Sequence, residues 1–252
     1  EIKNPLTPIQ LSAERLKRKY LKEIENDPAT FEMCTDTIIR QVDDLRTMVD
    51  EFSSFARMPR PKLKYVNFSE LCQEIVFLEK NRTEAISYAL HVERNDLKTL
   101  CDRQQISRLL TNLIKNAAES IFAKHNIDPD DLTLTQLDQP LGHISVHVEE
   151  KDQQIEIRIE DDGIGFPHED RDKLMEPYVT TRRKGTGLGL AISKKIIEEH
   201  QGKMMLKDRD EGGAIVVLTL PELEDHHKSQ LDNNEEDKNP MDFAIRLVTD
   251  GA

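Results

Sequence analysis

Two long amphipathic segments joined by a short turn constrain the N-terminal quarter of this chain more than any other feature. In the first, apolar residues recur at three- and four-residue steps, as on one face of a helix: Ile2, Leu6, Ile9, Ala13, Leu16, Tyr20 and Ile24. Asn26-Asp27-Pro28 follows with turn chemistry, because proline cannot continue a helix. The second segment ends before Pro59 and repeats the pattern at Phe31, Cys34, Ile38, Val42, Leu45, Val49, Phe52 and Ala56. Residues 1–58 are therefore predicted to form a helical hairpin.

The two apolar stripes are too long for a single hairpin to bury. Pairing with a second copy of the chain would cover them in a four-helix bundle, and the length and narrowness of the stripes favour this arrangement. The alternative is that the hairpin docks onto a second domain of the same chain. A homodimer formed through the hairpin is the preferred prediction.

After Pro59-Arg60-Pro61 the pattern changes to mixed helix and strand, which predicts an α+β protein with a second domain at residues 62–221. The predicted strands are Leu63–Val66, Ile86–Val92, His143–Glu150, Gln154–Asp161, Lys203–Lys207 and Ala214–Leu220. The predicted helices are Ser69–Glu79, Arg103–Phe122 and Leu188–Glu199, with Ser69 as a candidate N-cap. Residues 124–142 have the composition of a polar insertion, and residues 222–252 that of an acidic, disordered tail.

Composition narrows the classes of partner. The 252 residues carry a formal net charge of −13, and residues 222–252, with nine acids and three bases, contribute −6 of it. Such acidity argues against general binding to nucleic acids or anionic membranes. The longest mainly apolar run, Ala214–Leu220, is too short to span a membrane, and three separated cysteines without a CxxC pair suit a reducing compartment. We therefore expect a cytoplasmic segment with no nucleic-acid partner and no membrane contact.

Four short segments carry side chains suited to nucleotide chemistry. The first lies in a predicted helix, where Asn112, Asn116, Glu119 and Ser120 share one face by three- and four-residue spacing. A carboxamide oxygen is a hard, neutral ligand suited to Mg²⁺, which completes its coordination shell with phosphates and water. Taken alone, the pattern is more typical of a solvated polar face.

The other three segments follow in sequence. Asp161-Asp162-Gly163-Ile164-Gly165 ends a predicted strand; its glycines admit a flat ligand and its carboxylate can accept the exocyclic amine of adenine, although a tight turn is the alternative. Gly185-Thr186-Gly187-Leu188-Gly189-Leu190 precedes a helix and can cradle phosphate, but it is neither a P-loop nor a Rossmann turn. Between them lies Phe166–Lys184, which ends in the basic stretch Thr180-Thr181-Arg182-Arg183-Lys184. This segment is interpreted either as a basic lid over a triphosphate or as a mobile surface loop.

In this order, followed by Gly212-Gly213, the segments resemble the ATP-binding domain of the GHKL superfamily, which includes sensor histidine kinases, type II topoisomerases and MutL-like ATPases. The resemblance covers residues 62–221 and implies a Bergerat-type α/β sandwich that binds ATP and Mg²⁺. It implies Asn116 as the Mg²⁺ ligand and Asp161 as the adenine-binding carboxylate. It further implies ATP contacts from Asn112, Glu119, Gly163, Gly165, Tyr178, Thr181, Arg182, Arg183, Lys184, Gly185, Thr186, Gly187, Leu188 and Gly189. Met175-Glu176-Pro177-Tyr178 matches the F box, with Met and Tyr where Phe is usual.

One position separates the branches of this superfamily. Members that hydrolyse ATP carry a glutamate four residues before the Mg²⁺-binding asparagine, where it acts as general base for water. The residue here is Asn112, whose carboxamide cannot take a proton. The resemblance therefore implies transfer of the phosphoryl group to an acceptor other than water.

The first helix resembles the matching half of such a transferase. Glu1-Ile2-Lys3-Asn4-Pro5-Leu6-Thr7-Pro8 is similar to the H box of sensor histidine kinases, and its continuation is most similar to the nitrogen-regulation, NtrY type. The acceptor histidine of this motif is expected directly before Glu1, and none of the eight histidines present replaces it. We therefore expect a truncated or engineered fragment, in which residues 1–58 are the dimerisation and histidine-phosphotransfer hairpin.

The resemblance also implies a mechanism. Glu1 would orient the acceptor histidine, and Asn4 would orient a water for the reverse, phosphatase reaction. The phosphoryl group would pass to an aspartate on a response-regulator receiver domain, and the longer protein would be anchored in the bacterial inner membrane. Two alternatives stay open: a nucleotide-binding regulatory module without phosphotransfer, and a GHKL ATPase acting on DNA or protein clients.

Overall fold

The computed structural model describes residues 3–128, 139–167, 171–180 and 185–221, apart from the side chains of residues 3, 4 and 54. By their contacts these residues divide into two compact units. One contains the described residues up to 59 and those between 178 and 188, and the other contains the described residues from 60 to 177 and from 189 to 221. Within the described ranges every helix is too short or too polar to cross a bilayer.

The first unit contains the predicted helical hairpin, formed by α1 (Lys3–Tyr20) and α2 (Pro28–Ala56). Asp27 caps α2 through its carboxylate, which accepts from Thr30 N at 3.1 Å, and Pro28 occupies the first helical turn, where its missing N–H costs nothing. Leu6, Ala13 and Val42 are buried between the helices. The same stripes leave large apolar side chains exposed, namely Ile9, Leu16, Tyr20, Ile38, Leu45 and Phe52.

The first helix is shorter than predicted. Its apolar pattern runs to Ile24, but α1 ends at Tyr20, and Glu23 N bonds to Tyr20 O in a tight turn. Asp27 takes a left-handed backbone with φ of 60° and precedes Pro28, which disfavours helical backbone just before it. The turn therefore starts several residues before the proline, and the apolar period alone does not reveal this.

The second unit is built on a five-stranded sheet. Its strands are β2 (Ser87–Val92), β4 (His143–Lys151), β5 (Gln154–Asp161), β6 (Lys203–Asp208) and β7 (Ala214–Pro221). Their order in the sheet is β2-β4-β5-β7-β6. β2 and β4 are parallel, and the other neighbours are antiparallel. Alternate residues of the central strands are buried, as in β5 at Ile155, Ile157 and Ile159.

The α-helices in the described part of this unit are α3 (Phe68–Arg82), α4 (Arg103–His125) and α5 (Gly189–Glu199). Their buried residues, such as Leu109, Leu113 and Ile196, form the core together with the apolar face of the sheet. A short helix, Arg171–Met175, precedes α5. This helix-on-sheet arrangement confirms the predicted α+β class and the α/β sandwich.

Two local predictions were wrong. The first residue of α3 is Phe68, and its cap is Asn67, whose side chain accepts from Glu70 N; the predicted cap Ser69 instead donates its hydroxyl to Arg94 O at 2.6 Å. The strand β3 (Lys98–Cys101), which pairs antiparallel with β1 (Lys64–Asn67), was not predicted. A strand of four residues is too short for its alternation of apolar and polar residues to be recognised, and a helix starts two positions after it.

Candidate nucleotide-binding site

The polar face of α4 is held between two other elements of the site. Ser120 lies one turn after Asn116, and its hydroxyl accepts from Ile164 N at 3.1 Å, in the loop that follows β5. Asn112 lies one turn before Asn116, and its Nδ2 donates to Gly189 O at 2.9 Å, at the start of α5. Because residues four apart share a helix face, half-buried Asn116 lies between these two contacts.

Asp161 is the buried carboxylate of this site. It ends β5 with 6% of its surface exposed, and its Oδ1 accepts from Gly163 N at 2.9 Å. Burial raises the pKa of Asp161 to about 6, against the opposing effect of hydrogen bonds from Gly163 and Ser120. At neutral pH the group is therefore an ionised acceptor in a largely desolvated position, which suits recognition of an amino group on a flat ring.

The glycines after β5 are needed for close packing. A Cβ on Gly163 would overlap Ser120 of α4, and Gly165, at φ of +75°, would place a Cβ 2.9 Å from Gly213 O. Gly213 itself has φ of +105°, and a Cβ there would overlap the carbonyl of Asp161. Three segments, α4, the loop after β5 and the loop before β7, thus meet at distances that only glycine permits.

Asn112 connects α4 to α5. Besides Gly189 O, its Nδ2 donates to Ser193 Oγ at 2.8 Å, and Ser193 Oγ donates in turn to Gly189 O at 3.0 Å. The Asn112 side chain lies so close to Gly189 that a Cβ there would be 2.9 Å from its Oδ1. The position occupied by a general base in hydrolytic relatives is therefore used here to fix the first turn of α5.

The glycine loop before α5 belongs to the first unit. Tyr178, at φ of +69°, donates its N–H to Gly187 O at 3.0 Å, and a Cβ on Gly187 would overlap the Tyr178–Val179 backbone. Thr186 donates its hydroxyl to the carboxylate of Glu51 in α2 and accepts from Leu188 N at 3.3 Å. The loop thus brings Tyr178 beside Gly187, and its chain continues from Gly185 through Leu188 into α5.

Some predicted residues lie outside the described part of the chain. These are Glu1 and the basic stretch Thr181, Arg182, Arg183 and Lys184. Asn4 is in the first turn of α1, but its side chain is not described. Glu119 is exposed on α4. Their assigned roles stay predictions.

The residues present are chemically compatible with a magnesium–nucleotide complex. Among the described residues, no group of three or more His, Cys, Asp or Glu side chains could hold a metal. Mg²⁺ commonly binds through one or two protein oxygens and substrate phosphates, so a single carboxamide such as Asn116 suffices. Asn116 lies one turn before Ser120, which bonds to the loop after β5.

Comparison with known protein families agrees with this geometry. Residues 1–61 match the model for the His Kinase A (phospho-acceptor) domain, and residues 101–224 match that for the histidine kinase-, DNA gyrase B-, and HSP90-like ATPase. Nitrogen regulation protein NtrY of Azorhizobium caulinodans is 49% identical over 221 residues, which is 87% of this chain and 27% of that protein. The chain belongs to the sensor histidine kinases.

Two further proteins show how far this chain resembles its relatives. A putative sensor histidine kinase NtrY-like of Rickettsia prowazekii is 38% identical over 90% of this chain and 35% of its own length. The chain therefore spans about a quarter to a third of these curated relatives. The structure of histidine kinase ThkA in complex with response regulator protein TrrA matches with a TM-score of 0.60 and 27% identity, over 88% of this chain and 59% of the matched chain.

Sequence reasoning missed three contacts around the site: Ser120 with Ile164, Ser193 with Asn112, and His200 with Asp102. Ser120 lay on the predicted polar face, yet its bond to the loop after β5 could not be inferred without the tertiary fold. Ser193 and His200 gave no signal, because a serine inside a helix and a histidine at its end are common without any role. Asp102 did give a signal in the sequence, since an aspartate directly before an amphipathic helix is a typical N-cap.

Proposed function

We propose that the chain is the catalytic part of a protein-histidine kinase that binds ATP with Mg²⁺ and transfers the γ-phosphoryl group to a histidine. The observation that carries the proposal is the buried, ionised Asp161 beside glycines that admit no side chain. Asp161 accepts the adenine amine, and Asn116 holds the metal at the phosphates. When bound, Mg²⁺ would supply positive charge at the phosphoryl group.

The residues of this chain act mainly by positioning. Asn112 fixes the first turn of α5, and the N-terminal N–H groups of this helix are suited to binding phosphate. The resemblance implies further phosphate contacts from Arg182, Arg183, Lys184, Gly185, Thr186, Gly187 and Leu188, and adenine contacts from Gly163 and Gly165. Glu1 orients the acceptor histidine expected directly before it and helps remove its second proton. Asn4 orients water in the phosphatase direction.

The proposal includes two partners. A second copy of the chain covers the exposed apolar residues of α1 and α2, forming a four-helix bundle. A response-regulator receiver domain accepts the phosphoryl group on an aspartate, by analogy with the ThkA–TrrA complex. Anchoring of the longer protein in the inner membrane and the absence of a nucleic-acid partner stay predictions.

The test uses labelled ATP and a separately supplied hairpin that carries a histidine before the residue equivalent to Glu1. We expect acid-labile label on the hairpin and little release of free phosphate. ATP binding without transfer would favour a regulatory nucleotide-binding module instead.

Steady multiple-turnover hydrolysis would favour the third candidate, an ATPase. The sequence argues against it, because Asn112 cannot accept a proton and its amide already bonds to Gly189 O and Ser193 Oγ. Substituting Asn112→Asp supplies a carboxylate while removing these donors, so we expect weakened ATP binding rather than hydrolysis.

A further inference from the structure

His200, directly after α5, is a buried histidine with both ring nitrogens occupied. It is 3% exposed; its Nε2 accepts from Asp102 N at 2.9 Å, and its Nδ1 lies 2.7 Å from Ile196 O. A backbone N–H can only donate and a carbonyl can only accept, so the proton is on Nδ1 and the lone pair on Nε2. Burial lowers the pKa of His200, opposed by its bond to Ile196 O and by the charges of Asp102 and Glu199.

The partner of His200 is the residue that starts α4. The carboxylate of Asp102 accepts from Gln104 N at 3.0 Å, Gln105 N at 3.2 Å and Lys62 N at 2.9 Å. Its carboxylate thus caps the helix and holds the incoming chain at Lys62. The backbone N–H of Asp102 is the group that remains for α5, and His200 takes it.

Two contacts therefore hold α5 antiparallel to the first half of α4. Asn112 binds the start of α5 at Gly189, and His200 binds the start of α4 at Asp102. The two contacts are 10 residues apart along α4, which is about 15 Å of helix, and 11 residues apart along α5, which is about 16 Å. The helices are thus matched in length between two fixed points, and neither can slide without breaking one of them.

We propose that His200 is a positioning residue for nucleotide binding, which sets the N-terminus of α5 relative to the Asn112–Asn116 face of α4. The inference rests on the proposed function, in which the N-terminus of α5 binds the phosphates and Asp161 binds adenine. Loss of the His200 contact then displaces the phosphate end of the site and leaves the adenine end, held by Ser120 and Gly163, in place.

The experiment compares the affinities of ATP and adenosine in variants of the whole chain by titration calorimetry. His200→Leu removes both ring contacts at similar volume, His200→Gln retains an acceptor that can reach Asp102 N, and His125→Leu is the control at an exposed histidine of α4. We expect His200→Leu to weaken ATP roughly tenfold and adenosine less than twofold, with His200→Gln restoring most of the loss. Circular dichroism establishes that each variant is folded at the temperature used.

Two results would overturn the inference: wild-type ATP affinity in folded His200→Leu, or equal losses for ATP and adenosine, which would indicate a purely structural role. If His200→Leu does not fold, His200→Asn replaces it, since asparagine is polar but too short to reach Asp102. Failure of the wild-type chain to bind ATP would overturn the proposed function and this inference together. The wild-type titration distinguishes that outcome from failure of the His200 inference alone.

Discussion

Asp161 combines burial, charge and a position at the end of a central strand. Its carboxylate accepts hydrogen bonds from the Gly163 N–H, from the Ser120 side chain and from the Ala214 backbone. We expect Asp161→Asn to keep the fold, since a carboxamide oxygen can still accept from Gly163, but to present a donor to adenine. The loss should be about 1–3 kcal/mol, or roughly five- to 150-fold in ATP affinity measured by calorimetry. An unchanged affinity with an unchanged melting temperature would rule out Asp161 as the adenine ligand.

The raised pKa of Asp161, about 6, predicts a pH dependence. Only the ionised carboxylate is a pure acceptor, so ATP affinity should be full well above pH 6 and should decrease as the pH falls through this value. Binding favours the ionised form and therefore lowers the pKa of Asp161 in the complex. Measurements of ATP affinity between pH 5 and 8 check this prediction. In Asp161→Asn, the part of the decline that is due to Asp161 should be missing. An identical dependence of affinity on pH in both proteins would contradict the assignment.

At the scale of elements, the loop before β7 packs on the end of β5 through glycine. Gly212 and Gly213 both have positive φ, +90° and +105°, but only at Gly213 would a Cβ overlap a neighbouring carbonyl, that of Asp161. Gly212→Ala should therefore cost about 1 kcal/mol of unfolding free energy from backbone strain alone. Gly213→Ala should cost at least about 2 kcal/mol more and weaken ATP binding, as measured by urea unfolding and calorimetry. Equal costs would show that this contact is not tight.

The elements were predicted to different degrees, for physical reasons. Long periodic segments such as α4 and β5 were predicted almost to the residue, because burial of one face imposes the period. Helix ends were less accurate: Asn67 rather than Ser69 caps α3, and both residues have the capping chemistry. Contacts between elements, such as Asn112 with Gly189, depend on the fold as a whole, so the sequence indicated Asn112 as a site residue without revealing what it binds.

At the scale of the whole molecule, the exposed apolar ridge of α2 predicts the oligomeric state. Ile38, Leu45 and Phe52 are each 46–47% exposed and are spaced seven residues apart, so they line one side of the helix. Ile38→Asp with Leu45→Asp should convert a dimer to a monomer in sedimentation velocity, because charge at a packed interface is costly. Gln41→Asp, at an exposed position of the same helix, is the matched control and should stay dimeric. A monomeric wild-type chain would contradict the four-helix bundle.

Phosphotransfer to histidine is the central claim, and one measurement tests it most directly. A chain with a histidine added before Glu1 is incubated with ATP labelled on the γ-phosphate and Mg²⁺, beside the original chain and an Asn116→Ala variant of the extended one. We expect acid-labile label on the extended chain, and none on the original chain or on the Asn116→Ala variant. Label that persists in Asn116→Ala, or no label on an extended chain that binds ATP, would contradict the proposed mechanism.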